Sequence, residues 1–293
     1  MNGNSRYVKS FLFGVLPVVL LLMSSCNTSR NIEQSTDVEA YASETDFLED
    51  TTDDPNAPLE TVDLSLFPEV PLPQLEPLVN GEEIAFLHTS LGIITIRFFP
   101  EHAPRAVQNF KAHAKAGYFD GVIFHTVVEN AVIQSGDPDG TGLGGDSIWG
   151  EPFGIETTPS LRHIYGALSM MRGQDPVSQG SQFFIVANRE LEDEAIEELE
   201  SFRERQDQVI GYMEDGSPLP MAIYFPEPVI DKYLQDGGIP GLDMTYTVFG
   251  QVYDGFDVID MIASVETSQE EEDMDRPLTD IVIERITFEY YSL

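Results

Sequence analysis

The chain has 293 residues, of which 42% are hydrophobic and 10% aromatic, enough to bury a substantial core in one large domain or two small ones. Its 51 acidic residues against 15 basic ones give a formal net charge of −36, a surface that repels phosphate backbones and anionic headgroups and sets nucleic acid aside as a partner. A single cysteine, Cys26, excludes an intramolecular disulfide, so packing alone must hold the fold.

The first segment carries Arg6 and Lys9, then an apolar run over residues 11–23, the small residues Ser24 and Ser25, and Cys26. That is the layout of a secretory signal peptide, and the run is shorter than the roughly 20 residues a membrane span needs. Met23-Ser24-Ser25-Cys26 resembles a bacterial lipobox, in which the cysteine is acylated and becomes the new N-terminus; the family prefers leucine where Met23 stands. Residues 1–26 are accordingly expected to be a lipoprotein-type signal, with Cys26 as the lipidation site that holds the protein at the extracytoplasmic face of the cell membrane.

Residues 31–80 contain thirteen acidic residues and no Lys or Arg, with prolines gathering toward the end. Self-repulsion and proline stiffness favour an extended, disordered tether over residues 27–80.

From Glu82 the pattern changes. Residues 84–89 and 93–99 are alternating and β-branched runs split by Ser90-Leu91-Gly92, which predicts a hairpin. Pro104 opens a helix whose apolar residues Val107, Phe110 and Ala114 fall at helical spacing, and Gly117 closes it. Short apolar runs at 122–124, 131–133, 166–170, 183–187, 246–252 and 281–288 then point to a mainly β plan, for which a closed barrel is the usual way to remove strand edges. Residues 189–240 interrupt it. Their Glu-rich first part places Ala195, Ile196, Leu199 and Phe202 on one face of an amphipathic helix, a second helix is expected over residues 227–235, and Gly237-Gly238 ends it. The segment is read as a partly helical insertion into a loop of a domain spanning residues 81–293.

Six strings now fall in order: Ala103-Pro104-Arg105-Ala106-Val107-Gln108-Asn109-Phe110; Gly117-Tyr118-Phe119-Asp120-Gly121-Val122-Ile123-Phe124-His125; Gln134-Ser135-Gly136-Asp137-Pro138 with the glycine-rich run that follows it; Gly166-Ala167-Leu168-Ser169-Met170; Gly180-Ser181-Gln182-Phe183-Phe184-Ile185; and Leu242-Asp243 with Tyr246-Thr247-Val248-Phe249-Gly250. Together they resemble the cyclophilins over residues 81–188 and 241–288. The resemblance implies a closed eight-stranded antiparallel barrel capped by two helices, near residues 104–115 and 255–262. It also implies peptidyl-prolyl cis-trans isomerisation of proline-containing polypeptides with no cofactor; no His or Cys cluster suits a metal, and a monomer is expected.

Rotation about an X-Pro bond faces a barrier of about 18 to 20 kcal/mol because the twisted amide loses C–N double-bond character, and a catalyst need only bind that twisted form best. Carried over by position, the catalytic residues are His125, Thr126, Gln134, Phe184 and Arg172. The proline-binding residues are Ala131, Val132, Met171, Gln182, Leu242 and Tyr246. The sequence departs from the family at several of them. Thr126 stands where the family has an arginine, and losing a charged hydrogen bond of about 1.5 to 3 kcal/mol slows a reaction roughly 10- to 150-fold. Ala131 and Val132 replace an aromatic residue and a methionine, while Met171-Arg172 replaces Ala-Asn. Arg172 is expected to reach toward the space left by Thr126, and Met171 to fill the volume vacated at Ala131. A cyclophilin-like module that binds or chaperones prolyl segments with little turnover is the alternative. The acidic run at residues 270–273 lacks the alternating spacing of a calcium loop and reads as solvated.

Overall fold

The computed structural model describes residues 60–213, 216–270 and 273–292. The signal segment, Cys26 and residues 27–59 of the tether lie outside them.

The expected hairpin forms as β1 (Glu83–Thr89) and β2 (Gly92–Phe98). Thr89 Oγ1 accepts from the Leu91 and Gly92 amides and donates to the Gly92 carbonyl, which closes the turn. Helix α1 (Pro104–Lys115) starts on proline with no side-chain cap of its own. Its free N–H groups are answered from a distant loop, where the Glu156 carboxylate accepts from Arg105 N at 3.1 Å and Ala106 N at 2.9 Å.

The remaining strands are β3 (Thr126–Val128), β4 (Val132–Ser135), β5 (Phe153–Gly154), β6 (Ala167–Met170), β7 (Val177–Gln179), β8 (Phe183–Val186), β9 (Val209–Tyr212), β10 (Pro218–Pro220), β11 (Val248–Asp254) and β12 (Ile283–Tyr290). Eight of them form one antiparallel sheet in the order β12-β1-β2-β11-β6-β8-β4-β3. The sheet curls without closing, which corrects the expected closed barrel. Between its end strands only an isolated bridge, Ile123↔Val282, and neighbouring backbone bonds such as Phe124 N to Ile281 O and Ile283 N to Val122 O span the seam. The reason is local: β3 has only three residues, and its Val127 N–H is taken by the Asp275 carbonyl instead of by β12.

Strand alternation sends Ala85, Leu87, Ile94, Ile96, Ile133, Leu168, Met170, Phe183 and Ile185 inward, where α1 and helix α5 (Phe256–Ala263) cover them. Phe110 of α1 is 1% exposed and touches Phe98, Phe119, Phe183 and Phe249, with ring centroids 5.2–5.7 Å apart.

The insertion has its own core. Helix α2 (Asp193–Arg203), the β9–β10 hairpin, α3 (Met221–Tyr224) and α4 (Glu227–Asp236) gather Leu199, Phe202, Met221, Phe225, Val229, Ile230 and Tyr233 against Ile164. Gly237 and Gly238 return the chain beside its point of exit; both have positive φ, and a Cβ on Gly237 would lie 2.5 Å from the Asn188 carbonyl.

Residues 60–80, which composition assigns to the tether, lie against the folded domain. Thr61 bridges Gln208, Gln74 donates to the Arg162 carbonyl and accepts from its amide, and the buried Arg97 guanidinium donates to the Pro73 and Glu76 carbonyls. The Pro73 carbonyl, which also closes the short 3-10 turn Pro73–Leu75, and the Glu76 carbonyl lie outside any strand ladder and accept these bonds.

Phe110→Ala should lower unfolding free energy by about 3 to 5 kcal/mol in a denaturant titration, because the cavity would open at the centre of four aromatic contacts. A loss below about 1 kcal/mol would contradict this placement of the core.

Candidate functional site

Every second residue of the short strands points outward, and directly paired residues share a face. Thr126 pairs with Gln134, Gln134 with Phe184, and Phe184 with Ser169, so four strands present one row across the outer wall. One step along, Val128, Val132 and Val186 form a parallel row. On this face a second apolar cluster gathers Ala131, Val132, Met171, Phe184, Leu242 and Tyr246, together with Phe99, Leu161 and Ile239. All six proline-pocket residues inferred from sequence except Gln182 therefore meet Phe184 in one place, and Gln182 is joined to them through Gln134.

That link is fixed from the glycine-rich loop. Gln182 Nε2 donates to the Gly142 and Gly144 carbonyls at 2.9 and 2.8 Å, which turns its Oε1 toward Gln134 Nε2, 2.8 Å away. Gln134 must then present its own Oε1, which is buried and has no partner, beside Thr126. The loop is held by Asp137, fully buried, whose carboxylate accepts from the amides of Asp139, Thr141 and Gly144 and from the Thr141 hydroxyl. Burial alone would raise the Asp137 carboxyl, but these donors outweigh it and hold it below its ordinary value. Gly144 is required there, since a Cβ would lie 2.5 Å from Asp137 Oδ1.

His125 is 4% exposed, and neither ring nitrogen has a hydrogen-bond partner of normal geometry. Gln182 is near enough to favour protonation, but its amide is already committed to Gly142, Gly144 and Gln134. Burial pushes the imidazole down to about 4; the Asp137 charge opposes that shift and Arg276 adds to it. His125 is therefore a neutral ring at physiological pH.

Arg172 does not occupy the place expected for it. Its Nε donates to the Thr245 carbonyl at 2.7 Å and its Nη1 to the Gly173 carbonyl at 2.8 Å, while the guanidinium lies 4.6 Å over the Tyr246 ring. Cation–π stacking and two carbonyls fix it at the Tyr246 end of the cluster, to which Met171 and Ala131 both belong. The cluster is also tighter than an open depression: Ala131, Val132, Met171, Phe184, Leu242 and Tyr246 are each at most 3% exposed. Among the described residues no group of three or more His, Cys, Asp or Glu is arranged to hold a metal ion.

Sequence reasoning missed the support beneath the cluster. His163 Nδ1 lies 3.0 Å from Asp243 Oδ1, and its ring stacks on Phe184. Both residues stood inside or beside the motif strings, but nothing in the order of residues pairs two side chains 80 positions apart.

The described residues thus form a curled antiparallel sheet whose outer wall carries an apolar cluster, with Thr126 and Gln134 in the adjoining row and the uncharged His125 next to Thr126 in the chain. The chain belongs to the cyclophilin-type peptidyl-prolyl cis-trans isomerases: the family model described as "Cyclophilin type peptidyl-prolyl cis-trans isomerase/CLD" matches residues 84–288. It is similar to a protein of Staphylococcus saprophyticus provisionally named a peptidyl-prolyl cis-trans isomerase, 40% identical over 215 residues that cover 73% of this chain and 96% of the relative. A Staphylococcus aureus protein of the same provisional name is 39% identical over 218 residues, covering 74% and 98%. Among solved structures, a Cryptosporidium parvum cyclophilin-type isomerase is 26% identical with a TM-score of 0.49, covering 72% of this chain and 99% of that one.

A histidine whose folded value lies below its unfolded one favours the neutral fold. Its contribution is full above the unfolded value of 6.5 and is lost as pH falls toward about 4. Unfolding free energy should therefore fall by roughly 3 kcal/mol more between pH 6.5 and pH 4 in the native protein than in His125→Gln. Parallel pH profiles for the two proteins would contradict the burial of this ring.

Proposed function

We propose that the protein is a peptidyl-prolyl cis-trans isomerase acting on X-Pro bonds of exported polypeptides, held by acylation of Cys26 at the extracytoplasmic face of the membrane. Unaided, proline isomerisation takes tens of seconds and limits folding where no other catalyst is present. The observation that carries the reading is the cross-strand row Thr126–Gln134–Phe184, which runs into the apolar cluster holding Leu242, Tyr246 and Met171. A proline ring is an apolar body with no N–H. It suits an apolar seat, and the flanking amide can meet polar groups at the seat's edge.

Only interactions stronger in the twisted amide than in either planar form speed the reaction. Gln134, held by Gln182 against the glycine loop, is placed to contact the amide at one edge. Neutral His125 stands beside it without adding charge. Arg172, at the opposite end over Tyr246, is the group proposed to supply positive charge in place of the family's arginine. Because the cluster side chains are packed on one another, a substrate enters by displacing them, and Tyr246 beneath Arg172 forms the rim that moves. Thr126 is a short neutral donor in the row, so turnover is slower than the family's full site would give.

The second reading, a prolyl-binding module with little catalysis, is favoured by one observation: the position facing the free Gln134 Oε1 holds threonine and no cation. A protease-coupled assay of cis-to-trans conversion in a short prolyl peptide separates the two. The purified protein should accelerate conversion in proportion to its concentration, whereas a module that only binds would leave the rate unchanged. Thr126→Arg should raise kcat/KM by roughly 10- to 150-fold, since a guanidinium there meets the unpartnered Gln134 oxygen. Arg172→Ala should lower kcat/KM by about 2- to 10-fold, and an unchanged value would remove Arg172 from the reaction.

A further inference from the structure

The insertion reaches the apolar cluster through a chain of buried polar contacts. Tyr233, on α4 of the insertion, is 0% exposed, and its hydroxyl donates to Asp243 Oδ2 at 2.8 Å. Burial, reinforced by the Asp243 charge, raises the phenol well above its ordinary value, so it is a permanent donor. The other carboxylate oxygen accepts from the His163 amide at 2.8 Å and faces His163 Nδ1 at 3.0 Å. A carboxylate only accepts, so Nδ1 carries a proton.

The far side of the ring is fixed as firmly. His163 Nε2 lies 3.1 Å from Ser169 Oγ, which is also 2.9 Å from the Thr247 carbonyl. Ser169, His163 and Asp243 thus stand in the order of a hydrolytic triad, yet Ser169 is 0% exposed, and the array holds a ring in place without offering a hydroxyl to any substrate. That ring lies nearly parallel to Phe184, with centroids 6.0 Å apart and planes at 16°, and Tyr246 meets both rings edge-on at 83° and 81°. Asp243 also follows Leu242 directly in the chain.

Resting on the isomerase reading, the geometry points to Tyr233 as a positioning residue: through Asp243 and His163 its hydroxyl fixes the plane of Phe184, so that this one side chain of the insertion helps to shape the proline seat. A ring packed on one face only by apolar atoms slides at little cost. One backed by an imidazole pinned at both nitrogens does not.

The test compares Tyr233→Phe, which keeps the ring and removes only the hydroxyl, with Phe202→Leu, which loosens the same insertion core without touching the polar chain. Tyr233→Phe should lower kcat on a short prolyl peptide by about 3- to 10-fold, the scale of one buried hydrogen bond, with KM changed by less than about twofold. Phe202→Leu should lower the thermal midpoint and leave kcat unchanged. A folded Tyr233→Phe protein with native kcat overturns the assignment, and so does a Phe202→Leu protein that loses kcat in the same proportion. Should Tyr233→Phe not fold, nitrogen and aromatic NMR of the unaltered protein decides: a saturating prolyl peptide should shift the His163 Nδ1–H and Tyr233 ring signals, and unmoved signals overturn it. A native protein that neither binds nor isomerises the peptide removes the isomerase reading itself, whereas native turnover with a silent Tyr233→Phe removes only the coupling.

Discussion

Asp243 is 3% exposed, and a carboxylate so far from water persists only where its oxygens are answered and its charge is met. Its carboxylate is met from two parts of the chain: the 162–163 segment that leads into β6, and the insertion through Tyr233. Arg162, 1% exposed, places Nη1 3.6 Å from Asp243 Oδ2, donates Nη2 to the Tyr224 carbonyl, and lies over the Tyr224 and Phe225 rings. Burying such a pair costs desolvation that its own attraction barely offsets, yet removing one partner strands the other charge at a cost of about 3 to 5 kcal/mol. The pair therefore specifies how the insertion sits more than it stabilises the fold, and the outer-wall cluster is built over that fixed floor.

The two faces of the curled sheet divide the work. The inner face holds the aromatic core around Phe110 and needs no polar group. The outer face carries a second apolar cluster whose rim is polar, and that combination suits a ligand that is apolar in its ring and polar in its amide. No charge stands in the row itself: Thr126 is neutral, His125 is held neutral by burial, and Gln134 is an amide. Positive charge lies at the margins of the cluster, where Arg172 rests on Tyr246 and Arg97 on Phe99. A site of this kind can prefer the less conjugated, twisted amide by exclusion of water and by a few placed dipoles, with no bond made or broken.

Much of this was legible in the residues and some was not, for reasons that differ by part. The hairpin and α1 are local, so alternation, helical spacing and the Pro104 and Gly117 signals sufficed for them, whereas α5 followed only from the family resemblance and the short strands β3, β5, β7, β9 and β10 carried no such signal. The residues carried over from the family gather on one face because they lie in separate strings that the sheet brings side by side in register. Closure of the sheet was not, because it depends on whether the three-residue β3 pairs with β12 or yields its amide to Asp275, which is decided by tertiary packing. Residues 60–80 read as solvated from their acids and prolines, yet they dock through backbone carbonyls and Gln74, which composition does not report. Arg172 was expected to reach toward the space left by Thr126, but its direction is set by Tyr246 and the Thr245 carbonyl. The Tyr233–Asp243–His163 chain was invisible because it joins residues of unrelated segments.

The central claim is that prolyl segments seat on the outer-wall cluster. Two-dimensional NMR of the isotope-labelled protein during titration with an Ala-Pro-containing peptide tests it directly, with exchange cross-peaks between the peptide's cis and trans forms read in the same samples. Signals of Phe184, Leu242, Tyr246 and Met171 should shift together while Phe110 and Phe249 stay still, and exchange should quicken with catalytic amounts of protein. Shifts confined to other surfaces, with the cluster signals unmoved at saturation, would contradict the account.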